Sequence, residues 1–235
     1  MLKKIFIKIK STKTIFHYFF KPWQLFEDIP RKYEKRMALD KIFKCVRAWK
    51  LEGDYLEFGT YNGRTFTQAY ELSKKYNIRN MRFIAFDSFK GLPKPNHKEK
   101  MNERFYQGQY SCSKDEFIEI LKSSKVDLSK VKIISGYFDD TLNDELKKEL
   151  KLVNAAIVWI DCDLYESTVP VLEFITDIID NSTFVVFDDW FSFGGNPNMG
   201  EIKAFNEFVK KHPDIEFIEY DRFHTAGKIF LINKK

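Results

Sequence analysis

Cysteine is scarce in this chain, and the three that occur, Cys45, Cys112 and Cys162, stand far apart. They form neither a disulfide framework nor a metal-ligand cluster, so a reducing cytoplasm is the expected setting. The four histidines, His17, His97, His212 and His224, are just as dispersed, which argues against a histidine-rich zinc site. His224, just ahead of the last apolar run, reads as a surface residue. No apolar stretch reaches the ~18 residues that a bilayer span requires. The N-terminus also lacks an apolar core followed by a small-residue cleavage site, so secretion is not expected. There is no internal repeat. Basic excess is missing from most of the chain: residues 1–50 hold 14 Lys/Arg against 4 Asp/Glu, whereas the remainder holds 25 against 30. A mildly acidic body gives no reason to expect nucleic acid as a partner.

Residues 1–26 combine six lysines with Leu2, Ile5, Phe6, Ile7, Ile9, Ile15, Phe16, Phe19, Phe20 and Trp23. One reading is a basic amphipathic segment in peripheral contact with the inner face of a membrane. The favoured reading is an N-terminal helix that covers part of the domain, or a partner subunit of a homo-oligomer. Pro30 reads as the break after this extension, and Arg31 to Lys50 as a helix with Leu39, Ile42, Phe43, Val46 and Trp49 along one side.

The remaining chain alternates apolar runs with helical spacing, the signature of an α/β fold. The runs are Tyr55–Phe58, Met81–Phe86, Val131–Ile134, Ala155–Ile160, Thr183–Phe187, Ile215–Tyr220 and Lys228–Ile232, and the last two are close enough to pair as a hairpin. Asp87 to about Cys112 is a long loop with the character of a substrate lid. Ser113 to Glu116 has the pattern of a capping box. Thr141 to Leu150 and Glu201 to Lys211 read as helices. Ser167 or Thr168 is expected to cap another, with Pro170 in its first turn.

The chain is organised around Tyr55-Leu56-Glu57-Phe58-Gly59-Thr60-Tyr61-Asn62-Gly63, a strand running into a glycine turn and a helix. At the carboxyl edge of an open α/β sheet such a turn lets a ligand approach the backbone closely. Asp87 ends the next run, 24 residues beyond Gly63. That is near the offset at which a second-strand carboxylate meets a ribose diol. Two further runs end in acids, Asp161-Cys162-Asp163 and Asp188-Asp189. With Asp87 they place five carboxylates along one sheet edge. So many like charges call for a cation, and hard oxygen ligands suit magnesium, manganese or calcium. If the acids only repel one another, neutralising one should stabilise the fold slightly.

In order along the chain, Leu56–Gly63, Asp87-Ser88-Phe89-Lys90-Gly91-Leu92-Pro93, Gly136-Tyr137-Phe138-Asp139-Asp140-Thr141-Leu142, Asp161-Cys162-Asp163-Leu164-Tyr165-Glu166-Ser167-Thr168 and Asp188-Asp189-Trp190 resemble the macrocin O-methyltransferase family. The resemblance covers residues 31–235 and leaves 1–30 as a separate extension. It implies an open, doubly wound, mostly parallel seven-stranded α/β sheet of the Rossmann-like, class I methyltransferase type, with an N-terminal helical extension. It implies methylation of a sugar hydroxyl with S-adenosylmethionine and magnesium, the acceptor being a nucleotide-sugar, a surface glycan or a glycosylated natural product. Carried over, Glu57, Gly59, Thr60, Gly63 and Asp87 would hold adenosylmethionine. Ser88, Ser135, Gly136 and Phe138 would lie near its adenosine. Asp161, Asp188 and Asp189 would bind the metal, and Asp161, or else Asp163, would take the acceptor's proton. Two rival readings are an N-methyltransferase on another acceptor and a non-catalytic adaptor with a degenerate cofactor fold. The first has no Asn/Asp-Pro-Pro-aromatic segment to hold an amine, and the second should have lost some of its acids.

Overall fold

A computed structural model describes residues 22–96 and 105–235, with side chains from Pro30 onward. The basic segment 1–21 and the lid residues 97–104 lie outside the described residues. Seven strands form one sheet: β1 (Asp54–Phe58), β2 (Phe83–Asp87), β3 (Val131–Ser135), β4 (Ala155–Ile160), β5 (Phe184–Phe187), β6 (Ile215–Phe223) and β7 (Gly227–Lys234). Their order is β3-β2-β1-β4-β5-β7-β6. The first five strands run parallel, and β7 pairs antiparallel with both β5 and β6. The sheet is therefore the mostly parallel, doubly wound one expected, closed at one end by the foreseen hairpin.

Strand alternation splits the core in two. Tyr55, Phe83, Ala85, Ile157, Trp159, Phe184 and Val186 face one layer of helices, and Leu56, Phe58, Ile84, Phe86, Val158, Ile160, Val185 and Phe187 the other. Burial on both faces explains why these strands read as unbroken apolar runs. The first layer includes helix α1 (Pro22–Trp49), α2 (Arg64–Lys75) and α3 (Lys114–Ser123). Leu39, Ile42, Phe43 and Val46 of α1 are fully buried there, as their spacing predicts, and Trp49 stacks on Phe184. The second layer includes α6 (Tyr165–Ile175) and α7 (Gly200–Lys211).

Four local expectations are corrected. Helix α1 does not begin after Pro30: it starts at Pro22 and runs through the proline. A proline inside a helix forfeits one hydrogen bond and kinks the axis, and here helical residues on both sides carry the helix past it. The span from Thr141 to Leu150 is not one helix but two, α4 (Phe138–Thr141) and α5 (Asp144–Leu150). Leu142, in an extended conformation, ends the first, and Asn143 caps the second by accepting from the Leu146 N–H at 2.8 Å. Helix α6 starts at Tyr165, ahead of both expected caps, because Asp163 adopts a left-handed conformation (φ 62°) that turns the chain early. Thr168 instead donates its hydroxyl to the Leu164 carbonyl at 2.8 Å, and Pro170 lies beyond the first turn. The capping box at Ser113 and Glu116 is formed as expected. Among the described residues no helix is long and apolar enough to cross a membrane.

The register levels the carboxyl ends of the parallel strands. Phe58 stands beside Phe86 and Ile160, and Ile160 beside Phe187. The ladder continues one step further, with Gly59 N–H on Phe86 O, Asp161 N–H on Phe58 O and Asp188 N–H on Ile160 O, each at 2.9 Å. Chain order reverses between β1 and β4, so the crevice beyond their ends is the topological switch point.

Candidate active site

A cavity of about 510 Å³ opens at this switch point. Gly59, Asp87, Ser88, Gly136, Phe138, Asp161, Asp163 and Asp189 all line it, so the structure brings together residues scattered over 130 positions of sequence. Glu57, Thr60, Gly63, Ser135 and Asp188 are not among the lining residues.

The glycine turn owes its shape to close contacts. A Cβ on Gly59 (φ 87°) would lie 1.9 Å from the Asp161 carbonyl oxygen, and one on Gly63 (φ 66°) would meet the Phe117 ring at 2.8 Å. Asp87 braces this turn from β2. Its Oδ2 accepts from the N–H groups of Thr60 (2.7 Å) and Tyr61 (2.9 Å), and its Oδ1 from the Phe89 N–H (2.7 Å). Burial pushes the Asp87 carboxyl above its ordinary value, against the pull of these donors. A carboxylate accepts about four hydrogen bonds, so Oδ1 keeps one lone pair for a ligand. Ser88 closes the next turn, donating to the Gly91 carbonyl (2.8 Å) and accepting from the Lys90 N–H (3.0 Å). Phe138 stands edge-on to Phe58 at the cavity wall. Glu57 lies outside the cavity, 1% exposed, and accepts from the Tyr55 hydroxyl. Burial pushes its carboxyl well above the usual range.

On the other side of Gly59, Asp161, Asp188 and Asp189 offer carboxylate oxygens that all lie within 4.8 Å of one another. Asp87 is not part of this cluster, so the row of acids divides into a turn-bracing residue and a convergent group. Each member is held. Asp189 N–H donates to Glu201 Oε2 (3.1 Å), and Asp189 Oδ1 accepts from the Ser192 hydroxyl (2.8 Å). His224 is not at the surface: it is 3% exposed, with Nε2 at 3.3 Å from Asp188 Oδ1. Its Nδ1 accepts from the Ala226 N–H (3.0 Å), which assigns the proton to Nε2 and makes it the donor to Asp188.

Two basic residues of α1 complete the cluster. Arg31 Nη2 lies 2.7 Å from Asp188 Oδ2 and 3.1 Å from Asp189 Oδ1. Lys35 Nζ lies 2.9 Å from Asp161 Oδ2 and 2.7 Å from Asp188 Oδ2. Burial opposes ionisation of Asp188, but Lys35, His224 and Arg31 hold its carboxyl well below the usual range. Asp161 is pushed up to about 7 by burial and by Asp188, with Lys35 pulling the other way. Asp163 is pushed well above the usual range by burial, then by Asp189 and Asp161. Tyr110, from the loop after β2, overhangs this corner, and burial together with Asp163 raises its phenol to about 12.

Arg31, Lys35, Tyr110 and Glu201 were not singled out from sequence. Arg31 and Lys35 did leave a trace there. They continue, at helical spacing, the stripe that buries Leu39, Ile42 and Val46, and cations on a buried stripe require buried counter-charges.

The acid cluster fits a hard divalent cation. Its donors are all carboxylate oxygens, and Asp189 Oδ2 is buried with no hydrogen-bond partner among the described residues. A glycine turn and a second-strand carboxylate at the switch point of a sheet ending in an antiparallel hairpin define a class I methyltransferase. The model of the TylF macrocin-O-methyltransferase family matches residues 32–221, and the chain belongs to that family. It is an S-adenosylmethionine-dependent O-methyltransferase, which removes the adaptor reading.

Solved structures share the fold. The O-methyltransferase NovP superposes with a TM-score of 0.70 at 19% identity, covering 84% of this chain and 79% of its own. CalS11, a calicheamicin methyltransferase, gives 0.66 at 21%, covering 83% and 77%. Its apo form, described as a TDP-rhamnose 3'-O-methyltransferase, gives 0.59 at 20% over 83% and 78%. TomG of Streptomyces achromogenes, an O-methyltransferase of tomaymycin synthesis in complex with SAM, gives 0.51 at 11%, covering 83% and 79%. No curated protein sequence matches the chain.

Proposed function

We propose that this protein methylates a hydroxyl of a sugar, with a divalent cation held by Asp161, Asp188 and Asp189. The observation that carries the reading is the convergence of those carboxylates beside the glycine turn, with Asp189 Oδ2 buried and unpartnered. The acceptor class is drawn from the family and from CalS11, whose described substrate is a nucleotide-sugar.

When bound, adenosylmethionine would supply a methyl group on a sulfonium, the acceptor oxygen forming a bond to that carbon as the S–CH3 bond breaks and the neutral thioether leaves. A divalent cation in the acid cluster lowers the pKa of a bound hydroxyl and fixes its approach. The chain supplies the rest. Gly59 and Gly136 bring bare backbone to the cofactor side of the cavity, and Asp87 offers its remaining Oδ1 lone pair to the ribose. Asp161, Asp188 and Asp189 are the cation ligands. That leaves Asp163, which lines the cavity and makes no side-chain hydrogen bond with a described residue, to receive the acceptor proton. Asp161 fills that role only if it is not bound to the cation.

The test is methyl transfer from labelled adenosylmethionine to a panel of nucleotide-sugars and glycans, with and without chelator. Chelation is expected to abolish transfer and leave calorimetric adenosylmethionine binding nearly intact, since that site uses the glycine turn and Asp87. Full activity in excess chelator removes the cation from the reading, and transfer only to non-sugar hydroxyls removes the sugar.

A second expected result concerns Asp87. Asp87→Ala should weaken adenosylmethionine binding by about tenfold to a hundredfold, the worth of one charge-assisted hydrogen bond plus a loosened turn. It should also lower folding stability by about 1–3 kcal/mol, because Thr60 and Tyr61 lose the acceptor for their N–H groups. Calorimetry and denaturant unfolding measure the two effects, and an unchanged affinity places the ribose elsewhere.

A further inference from the structure

The oxygens that suit a divalent cation already have cations on them, and those cations belong to the chain. Asp188 Oδ2 accepts from both Arg31 and Lys35 at 2.7 Å, Lys35 reaches Asp161 at 2.9 Å, and Arg31 reaches Asp189 at 3.1 Å. Two side chains therefore touch all three candidate ligands. Magnesium or manganese would need those oxygens at about 2.0–2.2 Å, directed inward to one point. An ammonium and a guanidinium compete for Asp161 Oδ2, Asp188 Oδ2 and Asp189 Oδ1, and they leave Asp189 Oδ2 as the buried oxygen of the cluster without a partner among the described residues. Like charges reinforce the conflict, because a divalent ion would sit a few ångströms from two positive groups, of which Lys35 is largely buried and Arg31 half-exposed.

We propose that Arg31 and Lys35 are resident counter-ions of the acid cluster, and that a divalent cation binds only by displacing them. This rests on the reading of the cluster as a metal site given above. In the metal-free protein the two side chains neutralise carboxylates that would otherwise repel one another. When a divalent ion enters, both cations move out toward the cavity, which they line. They can leave without unpacking the helix. The apolar anchor of α1 begins at Ala38 and Leu39, while Tyr33 and Met37, which flank Lys35, are 65% and 54% exposed. Pro30, directly before Arg31, has no N–H to tie that turn to the preceding one. Metal affinity is therefore reduced by the fraction of molecules in which the counter-ions have left, and the turn over residues 31–35 loosens as metal binds while α1 from Ala38 onward stays packed.

The probe is Mn²⁺, titrated by calorimetry into the full chain and into Lys35→Met and Arg31→Met, which keep the aliphatic stems. Each variant is expected to bind Mn²⁺ at least about tenfold more tightly than the unmodified protein, because the displacement penalty on apparent affinity is removed. Equal or weaker binding overturns the inference. Hydrogen exchange on the unmodified protein decides the matter if a variant does not fold: Mn²⁺ should speed amide exchange over residues 31–35, and unchanged or slower exchange overturns the proposal. Asp188→Asn separates the two readings. If it abolishes Mn²⁺ binding while the methionine variants bind no more tightly, the metal site stands and the counter-ion role falls. If no form binds Mn²⁺, both fall.

Discussion

Asp163→Asn is expected to lower kcat by about 10²- to 10⁴-fold, the usual worth of a positioned general base. The affinity for adenosylmethionine should stay the same. The substitution is close to neutral for the fold, since Asn tolerates the left-handed conformation at φ 62° as well as Asp does. It keeps the size of the side chain and removes only the basic oxygen. Asp161→Asn differs, because it also takes away a contact of Lys35 and a ligand of the cation. Metal binding should therefore survive in the Asp163 variant and fail in the Asp161 variant. Steady-state kinetics and Mn²⁺ titration of both proteins measure the difference. A nearly active Asp163→Asn returns the proton to Asp161.

Asp188→Asn is expected to cost about 3–5 kcal/mol of folding stability, the penalty for breaking one side of a buried ion pair. Asp188 is fully buried and contacts Arg31, Lys35 and His224, so neutralising it removes the carboxylate that the two cations share and leaves Arg31 with Asp189 and Lys35 with Asp161. A bare cluster of repelling acids would give the opposite sign, a slight gain. Denaturant unfolding of the metal-free proteins decides between them, and a variant as stable as its parent shows that the Arg31 and Lys35 pairs contribute little.

The two expected signs differ because the sequence shows the acids and not the basic side chains that meet them. The strands were legible because each is an apolar run buried on both faces, and the motifs ending in Gly59, Asp87, Asp161 and Asp188 fell on one edge because strand ends in a parallel sheet lie level. What could not be read was which side chains from distant elements would meet those motifs. Lys35 and Asp161 are 126 positions apart, and only the packing of α1 against the sheet joins them. His224 reads as a surface residue from its place in a short connection between two strands, yet its side chain is buried against Asp188. Glu57 sits in the most recognisable motif of the chain, but the twofold alternation of β1 turns its side chain away from the cavity. Pro30 and the caps of α6 failed for local reasons: a proline need not end a helix, and a left-handed Asp163 began one early.

The contact between Gly59 and the Asp161 carbonyl has a consequence for how this enzyme can change. Under the proposed function, the backbone at Gly59 would receive the methyl donor and that at Asp161 would present the acids, and a single carbon added to Gly59 would come within 1.9 Å of the Asp161 carbonyl oxygen. On that reading the spacing of the cofactor side and the acid side of the cavity is set there by main-chain van der Waals radii and not by any adjustable side chain. Drift along this lineage can redraw the rim, where Tyr61 and Tyr110 are exposed, and so trade one acceptor for another. It has almost no freedom to alter the reach between sulfur and oxygen.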